Sequence, residues 1–163
     1  MIIRDLNQED LAQATGFYNT VLKADKDDFL EPFGSNEIEQ LFVAGQYSAG
    51  AFKGANMLGL ILVTPFEHKN LQFFSAVPAS LSKEDNYVHI RALAIASQQR
   101  SSIIAYRLIE RLVNIATSLG LGIVGEFDAQ NHAARRLYFN LGGRPLLSKQ
   151  GHILAARPPL KPT

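Results

Sequence analysis

A strand, a polar loop and an amphipathic helix follow one another between residues 88 and 119, and this run constrains the fold more than any other part of the chain. Val88 to Ile95 is short, apolar and rich in β-branched residues, as a buried strand is. After Arg100, apolar residues recur at helical spacing until Gly120. They are Ile104, Ala105, Leu108, Ile109, Leu112, Ile115, Ala116 and Leu119. The start of such a helix offers unpaired N–H groups and a positive dipole end, which favour phosphate binding.

Length and composition limit the classes of protein to consider. The chain has 163 residues, of which 47% are hydrophobic and 19% charged, as expected of a globular protein. We predict a single domain over residues 1–157 and a proline-rich tail over residues 158–163. No apolar run approaches the roughly 18 residues of a membrane span, so we expect no membrane association. Cysteine is absent, which excludes disulfides, a catalytic thiol and thiolate zinc sites.

Charge is distributed unevenly along the chain, although the formal net charge is only +1. A net charge this small predicts no nucleic-acid partner. Acidic residues are concentrated early, at Asp25, Asp27, Asp28, Glu31, Glu37 and Glu39. Arginines are concentrated later, at Arg100, Arg107, Arg111, Arg135, Arg136 and Arg144. Either both groups are solvated faces, or the arginines hold an anionic cofactor and the acidic segment attracts a cationic substrate.

The remaining patterns predict strands and helices in a mixed order. Apolar and alternating runs predict strands at 2–3, 47–53, 57–64 and 122–127, and a closing hairpin at 146–147 and 152–156. Capping residues and helical spacing predict further helices from Asn7, Ser35 and Asn131. The segment 65–86 is long for a plain connection, so it holds either an extra strand or a functional loop. These elements predict a mixed sheet with helices on both faces.

The run from residue 131 to residue 143 is the most specific motif of the chain. It reads Asn-His-Ala-Ala-Arg-Arg-Leu-Tyr-Phe-Asn-Leu-Gly-Gly. Together with the strand, loop and helix upstream, it resembles the signature Asn-x-x-Ala-x-x-Leu-Tyr-x-x-x-Gly of the Gcn5-related N-acetyltransferase (GNAT) superfamily. The resemblance implies an α/β (α+β) fold with a mixed, mainly antiparallel central sheet and helices on both faces. It also implies acetyl-coenzyme A as the acyl donor.

Two residues carry the catalytic roles that this resemblance implies. Tyr138 matches the tyrosine that protonates the departing coenzyme A thiolate, and a phenol with an ordinary pKa of about 10 can donate. The alternative is a tyrosine packed in the core. His89 stands at the strand position where, by the resemblance, histone-acetylating members keep a glutamate base, and an imidazole can do the same work. The alternative is a structural histidine that pairs with a neighbour on the strand.

The cofactor contacts follow from the same resemblance. The backbone of Leu93, Ala94 and Ile95 is expected to bind the thioester oxygen and the pantetheine arm like an added strand. The pyrophosphate loop corresponds to Arg100, Ser101, Ser102, Ile103, Ile104 and Ala105, where Ile103 replaces a glycine of the family pattern. Asn131 is expected to contact the pantetheine arm, to cap its helix, or to do both.

We therefore predict an acetyl-coenzyme A dependent N-acetyltransferase that acts on a primary amine by direct attack. The acceptor is a small molecule or a peptide, and a monomer and a homodimer are both open. A second hypothesis is a degenerate member that binds acyl-coenzyme A or a partner without turnover, as Ile103 suggests. A flavodoxin-like binding domain fits less well, because the early chain lacks repeated strand and helix alternation. We expect no metal, because the spacing of His68, His132 and His152 is not that of metal ligands. We also expect a cytoplasmic location.

Overall fold

Seven strands, four helices and short 3₁₀ turns make up the regular structure of the residues that the computed structural model describes, 1–27, 29–34, 36–100 and 103–160. The strands are β1 (Ile2–Asp5), β2 (Ala49–Lys53), β3 (Asn56–Pro65), β4 (Tyr87–Ile95), β5 (Gly122–Asp128), β6 (Arg144–Lys149) and β7 (His152–Arg157). The helices are α1 (Leu11–Lys23), α2 (Glu37–Ala44), α3 (Ile104–Leu119) and α4 (His132–Asn140). The predicted elements are confirmed, with small shifts at their ends, and Ser35, the predicted start of α2, lies outside the described residues.

The strands form one sheet in the order β1-β2-β3-β4-β5-β7-β6. β4 and β5 run parallel. The pairs β1–β2, β2–β3, β5–β7 and β6–β7 are antiparallel. The mixed, mainly antiparallel sheet implied by the family resemblance is therefore confirmed.

The chain divides into two compact units, Met1–Thr64 with Arg91–Leu112, and Pro65–Ile90 with Val113–Thr163. β4 and α3 each contribute residues to both units. The expectation of one domain over residues 1–157 concerns independent folding and stays a prediction.

In the first unit, β3 is covered on both faces. Leu60 and Leu62 belong to an apolar core that includes residues of α1 and α2. On the other face, a Cβ added to Gly59 would lie 2.8 Å from Cγ2 of Ile104 and 2.9 Å from Cδ1 of Ile95. Only a glycine allows the first turn of α3 and the end of β4 to approach β3 this closely. Gly59 therefore fixes the helix start that the sequence predicts to bind phosphate.

In the second unit, the segment between β3 and β4 packs onto the sheet. It contains 3₁₀ turns at His68–Asn70, Ala79–Leu81 and Glu84–Asn86 but no strand in its described residues, 66–86. The prediction of an extra strand is therefore wrong for these residues, and a functional role of the loop stays a prediction. Its buried side chains join a core with residues of β4, β5 and β7, namely Phe66, Leu71, Phe74 and Leu81 with Tyr87, Val124, Leu154 and Ala156. The segment thus covers one face of these strands.

The amphipathic pattern of α3 is largely confirmed. Its buried residues are Ile104, Leu108, Ile109, Leu112 and Ala116. Leu119 departs from the prediction, because 53% of its surface is exposed where the last turn of the helix leaves the core. Gly120 follows with a φ of +67°, a left-handed conformation that glycine adopts without strain and that ends the helix.

Candidate active site

His89 lies in β4, and its side chain is almost fully buried, with 3% exposed. Its ring meets Phe66 edge to face, with 5.9 Å between the ring centroids. Its Nε2 lies 4.0 Å from Oε1 of Glu126 in β5. The strand register explains this meeting, because His89 pairs with Val124 and the side chain two residues further along β5 points to the same face. The structure therefore places the predicted base, His89, beside the carboxylate of Glu126.

Glu126 is a functional candidate that the sequence reasoning missed. Its side chain is 7% exposed, and its two carboxylate oxygens accept hydrogen bonds from the backbone N–H groups of Gln72 (3.1 Å) and Phe73 (2.9 Å). One carboxylate thus contacts His89 and also fastens the segment between β3 and β4. The available signal was a single glutamate in the otherwise apolar first six residues of β5. Only the register of β5 against β4 shows that this glutamate faces the histidine.

The segment that contacts Glu126 is held by its rings as well as by its backbone. Phe73 stacks on His152 of β7, with 3.6 Å between the centroids and 10° between the planes. Phe66 contacts the His89 ring from the same segment. With Phe66 against its ring and only 3% of its side chain exposed, His89 cannot be touched directly by an acceptor amine in this conformation.

Tyr138 projects from α4 onto β5. Its hydroxyl lies so close to Gly125 that a Cβ added there would overlap it, and the same Cβ would lie 2.9 Å from Cε1 of the ring. The ring stacks on Phe127, with centroids 5.2 Å apart. Burial of the hydroxyl, and to a smaller degree the charge of Glu126, raises the pKa of Tyr138 well above its ordinary value. The phenol therefore keeps its proton at physiological pH, as a proton donor must.

The two predicted catalytic residues contact opposite faces of β5. Glu126 points to the face that meets His89. Gly125 and Phe127 point to the other face, which meets Tyr138. The structure therefore brings His89 together with Glu126, and it does not place His89 beside Tyr138.

Asn131 caps α4. Its side-chain Oδ1 accepts a hydrogen bond of 3.0 Å from the backbone N–H of Ala134. Its backbone carbonyl accepts another from the N–H of Arg135 at 3.0 Å. The predicted capping role of Asn131 is confirmed. Its contact with the pantetheine arm stays a prediction.

The predicted cofactor-binding residues lie at the end of β4 and the start of α3. Ala94 and Ile104 are buried, Leu93, Ile95 and Ala105 are half-buried, and the Ile103 residue is 55% exposed. The carbonyl of Ile103 accepts a hydrogen bond from the N–H of Arg107, so the helical pattern begins there. Ser101 and Ser102, also predicted to bind the cofactor, lie outside the described residues.

Arg100 stands just before this helix start, and its side chain is 41% exposed. Its Nη2 lies 3.9 Å from Oδ1 of Asp25, whose side chain is 4% exposed. The other carboxylate oxygen of Asp25 accepts a hydrogen bond from the N–H of Leu30 at 2.7 Å. One of the later arginines therefore pairs with one of the early acidic residues, so the two groups are not independent surfaces.

The residue types that bind metals are scattered over the described part of the chain. Across residues 1–27, 29–34, 36–100 and 103–160, no group of three or more His, Cys, Asp or Glu residues is arranged to hold a metal ion. His68 instead pairs with Glu84.

Over the same described ranges, no helix is long and apolar enough to span a bilayer.

Solved acetyltransferase structures share this fold. The ribosomal-protein-S18-alanine N-acetyltransferase from Escherichia coli matches with a TM-score of 0.71 and 16% identity, over 99% of this chain and 96% of that one. The PaiA N-acetyltransferase from Thermoplasma acidophilum, in complex with coenzyme A, matches with 0.69 and 14%, over 96% and 98%. A chain of the NatC complex bound to Gag peptide and CoA matches with 0.71 and 18%, over 98% of each. At these identities the similarity shows the fold alone.

Family membership comes from the sequence. A search of curated proteins finds no match. The family model described as acetyltransferase (GNAT) family, in contrast, matches residues 8–142. This range includes the run from β4 to α3 and nearly all of the motif that begins at Asn131. The chain therefore belongs to the GNAT acetyltransferase family.

Proposed function

We propose that the protein is an N-acetyltransferase that moves the acetyl group of acetyl-coenzyme A to a primary amine by direct attack in a ternary complex. Membership of the GNAT family supports acetyl transfer. The observation that carries the proposal is the Tyr138 hydroxyl, which is packed against Gly125 and kept protonated by burial. A proton donor held in this way suits the release of a thiolate.

The reaction requires two proton transfers. The lone pair of the neutral amine attacks the thioester carbonyl carbon, and a C–N bond forms. The C–S bond then breaks, its electron pair leaves on sulfur, and Tyr138 donates the proton that makes coenzyme A depart as a thiol. The amine loses one proton to a base, which releases it to solvent, and solvent restores the proton of Tyr138.

His89 and Glu126 are the proposed base. A carboxylate 4.0 Å from the imidazole favours the imidazolium that forms when His89 accepts a proton. Because the His89 side chain is 3% exposed, the amine proton reaches it through a water molecule rather than by direct contact. A base that is reached through water is compatible with the burial of the His89 ring against Phe66.

The coenzyme is proposed to bind along the end of β4 and at the start of α3. The backbone of Leu93, Ala94 and Ile95 takes the pantetheine arm, and Asn131 adds a contact. Arg100 holds the pyrophosphate together with the amides of residues 102–105. The exposed portion of the Arg100 side chain, 41%, supports this role because it leaves the guanidinium accessible to an anion. Acetyl-coenzyme A supplies the activated thioester, and these protein groups orient it.

A second candidate function is acyl-coenzyme A binding without turnover. The observation that favours it is Ile103, which stands where the family pattern has glycine and whose residue is 55% exposed at the start of α3. A phosphate that approaches this helix start meets a β-branched side chain, which weakens close contact with the backbone amides. This candidate shares the fold and the cofactor, so only a turnover assay separates it from the first.

The test begins with binding and continues to turnover. Acetyl-coenzyme A should raise the melting temperature, since a ligand that binds only the folded state stabilises it. Release of the coenzyme A thiol is then followed with a thiol-reactive dye, and the chain contributes no background because it has no cysteine. Suitable acceptors are a peptide with a free N-terminal alanine, a lysine peptide and spermidine. The peptides come first, because two structural neighbours are named for ribosomal-protein S18 alanine and for a bound Gag peptide.

Two results separate the candidates. Amine-dependent thiol release that falls in Tyr138→Phe supports acetyl transfer. A rise in melting temperature with acetyl-coenzyme A, combined with no thiol release above that of buffer for any amine, supports the second candidate instead.

A further inference from the structure

Asp25 and Arg100 form a contact between a buried anion and an accessible cation. The Asp25 side chain is 4% exposed and the Arg100 side chain 41% exposed, with 3.9 Å between Oδ1 and Nη2. Both residues belong to the first compact unit, although 75 positions separate them in the chain (100 less 25). Arg100 therefore has one edge towards a carboxylate while much of its side chain remains accessible.

The carboxylate of Asp25 also organises the segment that follows α1. Its Oδ2 accepts a hydrogen bond of 2.7 Å from the N–H of Leu30. Nearby, the hydroxyl of Tyr18 donates to the carbonyl of Glu31 at 2.6 Å, and its ring contacts Phe33. The segment is thus anchored at several points, and Asp25 is the anchor that also reaches Arg100.

The negative charge of Asp25 affects how Arg100 can bind the coenzyme. Arg100 is the proposed contact for the pyrophosphate, which is an anion like the Asp25 carboxylate. When the guanidinium turns to the pyrophosphate it gives up its ion pair with Asp25, and water and salt compensate a largely buried carboxylate poorly for that loss. The carboxylate must therefore lower the affinity of Arg100 for phosphate.

We infer that Asp25 is an affinity-determining residue that competes with the coenzyme pyrophosphate for Arg100. The inference rests on the proposed function, because it takes Arg100 as the phosphate contact. When the coenzyme binds, Arg100 turns from Asp25 to the pyrophosphate, and Asp25 keeps its hydrogen bond from Leu30. Asp25 thereby connects Arg100, the first residue of the predicted pyrophosphate loop, to the segment after α1.

The direct test is the dissociation constant of coenzyme A, measured by calorimetry for the parent and for Asp25→Asn. Asparagine removes the charge and retains a side-chain oxygen that accepts the Leu30 N–H, so the fold is expected to survive. Losing the competing ion pair should tighten binding about fivefold, the effect of a partly exposed charge pair near the upper end of its usual range. Asp25→Glu keeps the charge and should bind coenzyme A like the parent.

Two controls make the result specific. Asp27→Asn removes the same charge from an exposed position of the same segment and should leave the dissociation constant nearly unchanged. In an Arg100→Ala background, Asp25→Asn should have no effect, because the shared cation is gone. Equal or weaker coenzyme A binding by Asp25→Asn, or an equal gain in the Arg100→Ala background, overturns the inference.

The failure of this inference differs from the failure of the proposed function. If the parent binds coenzyme A and acetylates an amine while Asp25→Asn binds no more tightly, only the role of Asp25 is wrong. If the parent binds no coenzyme A, the proposed function and this inference are both wrong. Should Asp25→Asn melt far below the parent, Asp25→Glu and the hydrogen-exchange rate of the Leu30 amide decide the matter. That amide should exchange no faster when the parent binds coenzyme A, and faster exchange contradicts the retained Asp25 bond.

Discussion

Replacing Gly125 by alanine tests whether the position of the Tyr138 hydroxyl matters for turnover. The added Cβ would overlap the hydroxyl and lie 2.9 Å from Cε1, whereas ordinary contacts begin at 3.4 Å. The ring cannot stay where it is. Cε1 alone must retreat by about 0.5 Å, and the hydroxyl must move further. Because α4 carries the ring and Phe127 lies beneath it, the displacement carries the phenol away from β5.

The cost to stability should be modest. Overpacking a buried contact costs about 1–3 kcal/mol. Alanine in a strand interior recovers about 0.5–1 kcal/mol relative to glycine. The net loss is therefore at most about 2.5 kcal/mol, and in a chain of 163 residues it lowers the melting temperature by at most about 10 °C. Thermal melting followed by circular dichroism measures this loss.

The cost to turnover should be larger. A positioned general acid contributes about a hundredfold or more, and displacing a catalytic group by about 1 Å removes a comparable factor. We expect kcat of Gly125→Ala to fall about a hundredfold at saturating acetyl-coenzyme A, in the thiol-release assay. The dissociation constant of coenzyme A should change little, since the phosphate contacts are proposed at the start of α3.

Two comparisons make the interpretation specific. Gly16→Ala introduces the same methyl group in α1, where no heavy atom other than the neighbouring backbone of the helix itself lies within 4 Å of the added Cβ, and it should lower neither stability nor turnover. The double variant Gly125→Ala/Tyr138→Phe should turn over no more slowly than Tyr138→Phe alone, because the acid is already lost. Full turnover by Gly125→Ala, or additive losses in the double variant, would refute the assignment of Tyr138 as the acid.

The remaining predictions concern single groups. Tyr138→Phe should lower kcat in the thiol-release assay and spare the coenzyme A dissociation constant measured by calorimetry. His89→Gln should remove the acid limb from the pH profile of kcat, and a limb that persists at the same pH assigns the proton to another group. Burial raises the pKa of Tyr18, so the unfolded state ionises first above pH about 10. The free energy of unfolding in urea is therefore full below that pH and falls as pH rises, and Tyr18→Phe should reduce the fall. Gly59→Ala should weaken coenzyme A binding more than Gly16→Ala does in the same calorimetric assay, because its Cβ would displace the first turn of α3.

The sequence was sufficient for the elements and their order. In α3, helical spacing identified the buried residues Ile104, Leu108 and Leu112 because a helix repeats over many residues and averages out local exceptions. It failed at Leu119, since periodicity carries no information on where the core ends. The cap at Asn131 was also predictable, because capping is a local interaction between residues close in sequence.

The contacts around the candidate site were less predictable, because they join residues far apart in the chain. Glu126 meets the backbone of Gln72, which is 54 residues away, and this contact depends on how the long segment packs. The meeting of Asp25 with Arg100 has the same origin. Composition alone assigned these two residues to separate groups. A strand register or a loop conformation is set by the whole core, and periodicity within one segment cannot reveal it.

Glu126 is the group through which the two faces of β5 influence each other. Its carboxylate lies 4.0 Å from His89, and its charge is the second cause, after burial, that raises the pKa of Tyr138. Glu126→Gln should therefore lower the pKa of Tyr138 while leaving it above the ordinary value, because burial persists. It should also weaken the base by removing the charge that favours the imidazolium. Phenolate absorbance, with Tyr138→Phe subtracted, measures the first effect, and the acid limb of kcat measures the second. If the pKa of Tyr138 is unchanged in Glu126→Gln, the charge of Glu126 has no effect on the other face of β5. The acid and the base would then act independently.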